Sequence, residues 1–450
     1  MFLFKKICLF FVCILLLTGC GGPIIKKSPE LAIYDNMVNR SLLFEGDTQR
    51  INGKLHKAKK HEKIVIAYLG GSITNSYGLD SSSKGYAQLS FRKLINFIGK
   101  KSNLEYINAG VDGATSVFGN TIANKEILSK KADIIFIEYA VNDKPEQLYR
   151  ASFESLIRTC LNNENKPAVV LILACTDKGT SRQDFMTQIG KYYNLPVIAV
   201  ANAVQPEISA ARMKQEDYFA DYVHPTEYGH RLMADFIMNY IKKAYKHKSK
   251  GVYTVPTKMY PKSNFENVKF VGAKNIQADN YGSFIGKETK NLMFPNAVEY
   301  MSNTGNKPFE FTIKANNIFL VAPKYDTETC HADIYINSEK AMTINLNGSE
   351  NNSETIQSFL IYSSEKTEPV KVGIKVSDED GEKINFAEPE KISEEQTSVH
   401  TDENSVSESN FPEEEKVITV TKKNKTQKNT VPFSFYGIGY TQNTDSNGGK

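Results

Sequence analysis

The chain has 450 residues, 55 basic and 51 acidic side chains, a formal net charge of +4 and 40% hydrophobic residues. So even a balance leaves no electrostatic footprint for a nucleic acid, and six cysteines in this length exclude a disulfide-held scaffold. The length suits two folded domains with tails, and with no Trp any sugar-stacking surface would have to draw on the 23 tyrosines.

Lys5 and Lys6 precede an apolar run from Ile7 to Leu17, too short to span a bilayer but of the right length for the core of an export signal. The run ends in Leu17-Thr18-Gly19-Cys20, which resembles the bacterial lipobox, where the cysteine is lipidated and becomes the first residue of the mature chain. The resemblance implies a signal peptide over 1–19, an anchor and tether over 20–34, and an extracytoplasmic lipoprotein held on a bacterial membrane by acyl chains on Cys20. An ordinary secretory signal that happens to contain Cys20 is the alternative. Without Lys5 and Lys6 the balance is 53 basic against 51 acidic residues, a net of +2. Cys8, Cys13 and Cys20 fall in the signal and anchor. Cys160, Cys175 and Cys330 remain, an odd number with no metal-ligand spacing, and read as buried thiols.

From Pro29 to Lys60 the spacing is helical, with Lys54, Lys57, Lys59 and Lys60 on a solvated face. Apolar runs then alternate with amphipathic stretches. Strands are expected at Ile64–Leu69, Leu104–Asn108, Asp133–Tyr139, Ala168–Ala174 and Pro196–Val200, and helices at Tyr86–Ile98, Glu146–Leu161, Ser181–Tyr193 and Glu227–Tyr245. The Val/Ile-rich runs lack polar alternation, as strands covered on both faces do. Strand–helix repetition predicts a three-layer α/β domain over 35–250, a doubly wound parallel sheet that binds ligands beyond the carboxyl ends of its strands. Ser72, Asn142 and Cys175 directly follow strands, so that rim is where a site is expected.

Past Gly251 the texture changes. Short runs at Phe309–Ile313, Ile318–Ala322, Ala332–Ile336, Gln357–Tyr362 and Val370–Val376 are separated by Asn, Gly, Asp and Ser clusters. This patterning predicts an all-β sandwich or jelly roll over 255–450. Within it, 387–430 is low in complexity, acidic and then basic, and reads as a mobile insertion. Phe433–Tyr440 reads as a strand returning to the β domain.

The chemistry-bearing residues lie in the first domain. Ser72 ends the run Ile64-Val-Ile-Ala-Tyr-Leu-Gly-Gly-Ser72, and Asp221-Tyr-Val-His224-Pro-Thr226 comes near the end of the same domain. A serine is a weak nucleophile at neutral pH. A histidine must take its proton, and a carboxylate must hold the imidazole in the right tautomer. Gly70 and Gly71 allow a tight turn, and the amides that follow point to a helix N-terminus that favours developing negative charge. Two further blocks follow the next strands: Asn108-Ala-Gly110-Val-Asp-Gly113-Ala-Thr115-Ser116 and Glu138-Tyr-Ala-Val-Asn142-Asp143. Asp143 reads as a local turn residue, Gly110 as a turn residue and His230 as structural. Asp217 is a second candidate carboxylate at longer spacing from His224.

Taken together in this order, the four blocks resemble the SGNH (GDSL-like) hydrolase superfamily, over roughly residues 35 to 246. The resemblance implies a flavodoxin-like fold, Ser72 as nucleophile, His224 as base and then acid, and Asp221 as the residue orienting His224. It also implies an oxyanion hole made by the backbone amides of Ser72 and Gly113 and the side-chain amide of Asn142. The chain departs from the common pattern at Gly71, where that pattern has Asp. No cofactor and no metal are expected, because oxyanion donors supply the stabilisation a metal would otherwise give.

The combined features lead to the expectation of a serine esterase that removes O-acyl groups, chiefly acetyl, from a carbohydrate such as a cell-surface polysaccharide. A lipase, lysophospholipase or thioesterase and an O-acyltransferase would use the same residues. A surface lipoprotein that binds glycan without turnover is the reading from a different class.

Overall fold

The computed structural model describes residues 28–99, 103–261, 264–325, 330–348, 355–377 and 433–443. The export signal, Cys20, tether residues 20–27 and the segment 387–430 lie outside the described residues.

The chain enters through α1 (Pro29–Arg40). Ser28 caps it, its hydroxyl accepting from the Leu31 amide at 3.2 Å, and Pro29 occupies the first turn, where a missing N–H costs nothing. Residues 29–34, expected in the tether, are therefore helical. They pack on the domain: the Tyr34 hydroxyl donates to Asp235 at 2.7 Å. The helical stretch up to Lys60 is interrupted by a short strand β1 (Leu42–Phe44) before α2 (Gln49–Lys59).

Then β2 (Ile64–Gly70), α3 (Ser72–Asn75), α4 (Tyr86–Ile98), β3 (Leu104–Gly110), α5 (Ser116–Ala123), β4 (Ile134–Glu138), α6 (Gln147–Asn162), β5 (Ala168–Leu173), α7 (Gln183–Tyr192), β6 (Val197–Ala199), α8 (Val200–Ser209), α9 (Gln215–Tyr218) and α10 (Glu227–Lys246) follow in order. The strand order is β1-β6-β5-β4-β2-β3. From β3 to β6 every pairing is parallel; β1 alone runs antiparallel, on the β6 edge. Every residue of β2, β4 and β5 is buried, which explains the apolar runs that fill them, with Glu138 at the end of β4 the one charged residue among them. Alternate residues serve opposite faces. Ile64, Ile66 and Tyr68 of β2 pack with α2, α4 and α10, whereas Val65, Ala67 and Leu69 pack with α5, α6 and α7. The chain turns from β3 back across β2 to β4, so the carboxyl ends of β2, β3 and β4 meet at the switch in winding where such sheets bind ligands.

The connecting segment after α10 is tied to α6. The buried Glu154 carboxylate accepts from the amides of Met259 and Tyr260, and Arg158 Nε donates to Glu266 at 2.8 Å. The second domain contains β7 (Lys269–Gly272), β8 (Ala278–Asn280), β9 (Phe284–Glu288), β10 (Asn296–Tyr300), β11 (Phe309–Lys324), β12 (His331–Ile336), β13 (Glu339–Asn345), β14 (Thr355–Val376), β15 (Ser434–Phe435) and β16 (Gly437–Thr441). One sheet runs β13-β12-β14-β11-β16-β7 with β8 also on β11, and the other runs β15-β10-β9. Both are antiparallel, and they close on a shared core that includes Phe284, Val298, Phe309, Ile318, Val372 and Phe435.

Two expected pairs of short strands are single long ones. Phe309–Ile313 and Ile318–Ala322 both belong to β11, and Gln357–Tyr362 and Val370–Val376 both belong to β14. The Asn316-Asn317 pair between the first two runs is not a turn but lies at a buried irregularity in the ladder. Asn317 Nδ2 donates to Thr441 Oγ1 at 2.7 Å, and its Oδ1 accepts from Ser363 at 2.7 Å.

The two domains share apolar surface. Phe294, Ala297, Val321, Ile356 and Tyr436 of the sandwich are buried in the same cluster as Ala114 and Phe118 of the hydrolase side.

Candidate active site

Ser72 is the first residue of α3, directly after β2, and is 8% exposed. His224 Nε2 lies 2.9 Å from Ser72 Oγ, and His224 Nδ1 lies 2.7 Å from Asp221 Oδ2. Since an ionised carboxylate only accepts, Nδ1 carries the proton and Nε2 is free to accept from the serine hydroxyl. The other oxygen of Asp221 accepts from the Val223 amide at 2.8 Å and the His224 amide at 2.7 Å. Partial burial pushes the Asp221 carboxyl up, but these amides and the His224 ring outweigh it and hold the group below its ordinary value. The ring of Tyr77, which sequence patterning does not single out, lies 4.6 Å centroid to centroid from His224 and packs against it.

The turn after β3 is stitched to α3. Val111 N–H donates to Gly70 O at 3.1 Å, Asn108 Nδ2 to Thr74 O at 2.9 Å, and Asn75 Nδ2 to Asp112 Oδ1 at 2.8 Å. Gly113 in this turn has φ +66°, a conformation that favours glycine. Among the described residues its N–H has no protein partner. As the first residue of a helix, Ser72 likewise has an amide without an intrahelical acceptor.

Asn142 lies in the turn that follows β4. Its Oδ1 is buried toward Gly71 with no hydrogen-bond partner, and its Nδ2 has no protein acceptor among the described residues. A Cβ at Gly71 would lie 2.5 Å from Asn142 Oδ1. The departure from Asp at this position thus has a local cause: any side chain at residue 71 would collide with Asn142. Asp143, expected to serve its own turn, instead accepts from the Ser116 amide at 2.7 Å and anchors the start of α5, 27 residues away in sequence. Gly110 makes a turn contact, its N–H donating to Asn108 Oδ1 at 2.9 Å. Asp217 accepts from the Lys214 amide at 2.9 Å and so caps α9 rather than meeting His224.

Behind Ser72 lies a buried polar group that the sequence motifs contain but do not explain. Thr74 Oγ1 lies 3.1 Å from Glu138 Oε2 and 2.7 Å from the Tyr86 hydroxyl. Burial pushes the Glu138 carboxyl up to about 7, against the opposing pull of Thr74 and the Gly71 amide. Burial likewise raises Asp143 to about 7, opposed by Ser116 and reinforced by Glu138. A charged residue closing an all-apolar strand is the one sequence signal that could have flagged Glu138. His230 is buried, and its Nδ1 accepts from the Tyr86 amide at 3.1 Å. Burial, with the neighbouring His224, lowers it to about 4, so it is a neutral acceptor at the start of α4.

Cys160, Cys175 and Cys330 are free and buried, and burial pushes each thiol up to about 12. Among the described residues no group of three or more His, Cys, Asp or Glu side chains is arranged to hold a metal ion. None of the described helices is long and apolar enough to cross a membrane. A cleft of about 550 Å³ lined by Thr180, Arg182, Gln183 and Lys191 contains none of the residues around Ser72, so the site is located by its chemistry rather than by volume.

Residues 68–232 match the GDSL-like lipase/acylhydrolase family. No curated protein matches the sequence. Among solved structures the chain is similar to a two-domain esterase active on acetylated mannans, co-crystallised with mannopentaose. Identity is 21% and the TM-score 0.72, covering 90% of this chain and 98% of that one. A second structure of a two-domain esterase active on acetylated mannans gives the same identity and TM-score, covering 90% of this chain and 99% of the other. The likeness spans both domains, so the arrangement of a hydrolase sheet followed by an antiparallel β domain is shared. The domain that carries Ser72 belongs to the SGNH (GDSL-like) hydrolases, and the chain is an ester-bond hydrolase.

Proposed function

We propose that the protein is a serine esterase that removes O-acyl groups, chiefly acetyl, from a carbohydrate. The observation that carries this reading is the continuous relay Asp221–His224–Ser72, with both hydrogen bonds formed, beside amide donors that have no acceptor among the described residues. The carbohydrate is supported by the two-domain likeness to esterases active on acetylated mannans.

In the first half-reaction Ser72 Oγ bonds to the ester carbonyl carbon while His224 Nε2 takes the hydroxyl proton. The carbonyl oxygen becomes an anion and receives hydrogen bonds from the amides of Ser72 and Gly113 and from Asn142 Nδ2. The tetrahedral centre collapses, the bond to the sugar oxygen breaks, and His224 returns the proton to that oxygen. The sugar leaves with a free hydroxyl and Ser72 holds the acyl group. In the second half-reaction water attacks the acyl carbon with His224 again as base, and the carboxylic acid leaves as Ser72 recovers its proton. Asp221 keeps the imidazole in the tautomer that both halves need.

The test is hydrolysis of p-nitrophenyl esters from acetate to octanoate, and acetate release from acetylated mannan, by the native chain and Ser72→Ala. Activity centred on acetate and abolished in the variant is expected. Full activity in Ser72→Ala would refute the reading, and a preference for long chains would move the substrate to lipids. The proposal extends to location: anchored through Cys20, the enzyme would meet polysaccharide outside the cytoplasm. Incorporation of labelled palmitate that persists in Cys20→Ser would remove the anchor.

A further inference from the structure

We infer that Gln357 of the β-sandwich is a positioning residue for the reaction: it clamps the Gly113 carbonyl and so aims the Gly113 amide at the oxyanion. The inference rests on the esterase reading above and goes beyond it by making the second domain part of the catalytic frame.

Gln357 Nε2 donates a short hydrogen bond to Gly113 O, across 244 residues of sequence. Thr355, two residues earlier on β14, lies against the same glycine. A Cβ built on Gly113 would come within 2.9 Å of Thr355 Cγ2 and 3.1 Å of Thr355 Cβ. Two side chains of one strand therefore hold one glycine, one through its carbonyl and one through its Cα.

That glycine needs holding. At φ +66° it has no Cβ to restrict its rotation, and among the described residues its amide has no acceptor that would fix its direction. The Ala114 N–H, in the same peptide plane as the Gly113 carbonyl, donates to Val111 O at 3.1 Å and closes the turn, but that bond does not hold the Asp112–Gly113 plane, which carries the Gly113 N–H. An oxyanion donor is effective only where it is already aimed, because reorientation during the reaction would spend the stabilisation it provides. Gln357 fastens the carbonyl end of the plane ahead of Gly113, and with Thr355 against the glycine it limits, through Cα, the tilt of the plane behind, which carries the N–H.

The clamp itself is rigid. Gln357 pairs with Ala322 and Ser358 with Val321 in the long β11–β14 ladder. Its neighbour Ile356 is 3% exposed and buried in the cluster that includes Ala114, the residue after Gly113. Thus β14 is fastened to the hydrolase domain at the point where Gln357 reaches across. The sandwich contributes no residue to the Asp221–His224–Ser72 relay, so its effect on the chemistry runs through the oxyanion loop and not through proton transfer.

This separation defines the experiment. The full chain would be assayed with p-nitrophenyl acetate as Gln357→Met, which keeps the length and loses the donor, and as Gln357→Glu, which keeps the shape and turns an acceptor toward the carbonyl. Ser72→Ala serves as the control. Misplacing one donor should lower kcat by about tenfold to a hundredfold. KM should stay within about twofold and the acid limb of the pH–kcat profile should not move, because His224 is untouched. Gln357→His, whose Nε2–H reaches about as far as the amide, should recover part of the loss. Native kcat in Gln357→Glu, with Ser72→Ala inactive, would overturn the inference and leave the esterase reading standing. A loss confined to KM would also overturn it, since that marks a substrate contact. Activity in Ser72→Ala would overturn both.

Discussion

Gly71→Ala is a substitution of one methyl group whose consequence follows from one contact. The new Cβ would lie 2.5 Å from Asn142 Oδ1, 3.1 Å from its Cγ and 3.3 Å from its Nδ2. Ordinary nonbonded contacts sit near about 3.5 Å, so the Asn142 amide has to withdraw by roughly 1 Å. The backbone at residue 71 has a negative φ, −87°, so a side chain there meets no left-handed strain. The effect is therefore a displaced side chain and not a strained turn. A misplacement of that size costs about a hundredfold in rate. The upper bound is complete removal of one oxyanion donor, about 2.7–4 kcal/mol, or a hundredfold to a thousandfold. Steady-state kinetics on p-nitrophenyl acetate should show kcat reduced by about a hundredfold, KM little changed and thermal stability close to native. The decisive assay is the double variant. If the methyl acts by displacing Asn142, Gly71→Ala adds nothing once Asn142→Ala is present, and the two losses are strongly non-additive. Native turnover in Gly71→Ala, or additive losses in the pair, would refute the reasoning.

Other consequences are equally open to measurement. Burial raises the Glu138 carboxyl from 4.5 to about 7, so across that interval the folded chain keeps a proton that the unfolded chain has released. Its cost to folding thus grows as pH rises through the interval and is complete above it, at roughly 3 kcal/mol. Glu138→Gln should raise the Tm at about pH 8 and leave it unchanged near pH 4; the same Tm difference at both pH values would disprove the linkage. Asp221→Asn should turn an amide N–H toward His224 Nδ1 and favour the tautomer in which Nε2 already holds a proton. Turnover should fall, by less than the ~10⁴-fold loss seen for a buried orienting carboxylate, since the Asp221 side chain is 44% exposed; unchanged kcat would remove Asp221 from the relay. Ile356→Ala should destabilise the chain by about 2–5 kcal/mol, with both domains melting together by near-UV and far-UV circular dichroism; two separate transitions would show that the shared apolar surface does not couple them.

The parts of the molecule legible in sequence are those with strong local or chemical constraints. Strands β2, β4 and β5 were readable because a strand covered on both faces is apolar along nearly its whole length. The helix Tyr86–Ile98 was readable to the residue because its apolar spacing runs unbroken from Gly85 to Gly99. Less legible was β1, a run of three residues that is a strand only because the edge of β6 lies beside it. In sequence the long strands β11 and β14 each look like two short ones for a related reason. Asn, Ser and Glu in a strand look like a turn unless something outside the local sequence accepts their hydrogen bonds, as Thr441 does for Asn317.

The same division holds at the site. The residue types at Ser72, Asp221, His224 and Asn142 stand out because the chemistry admits few alternatives, and each follows a strand or occupies a spaced motif that marks it. By itself the sequence determined the α/β and all-β organisation, the family of the hydrolase domain and the residue types its chemistry requires, because hydrophobic period and reactive groups are local properties. Only the tertiary structure decided that a side chain at 71 would strike Asn142, that Asp143 anchors α5, that Glu138 is buried behind Ser72, and that Gln357 reaches Gly113. Those facts depend on contacts between segments far apart in the chain, where a lone glutamine or glycine has the same sequence signature whether it meets water or another domain.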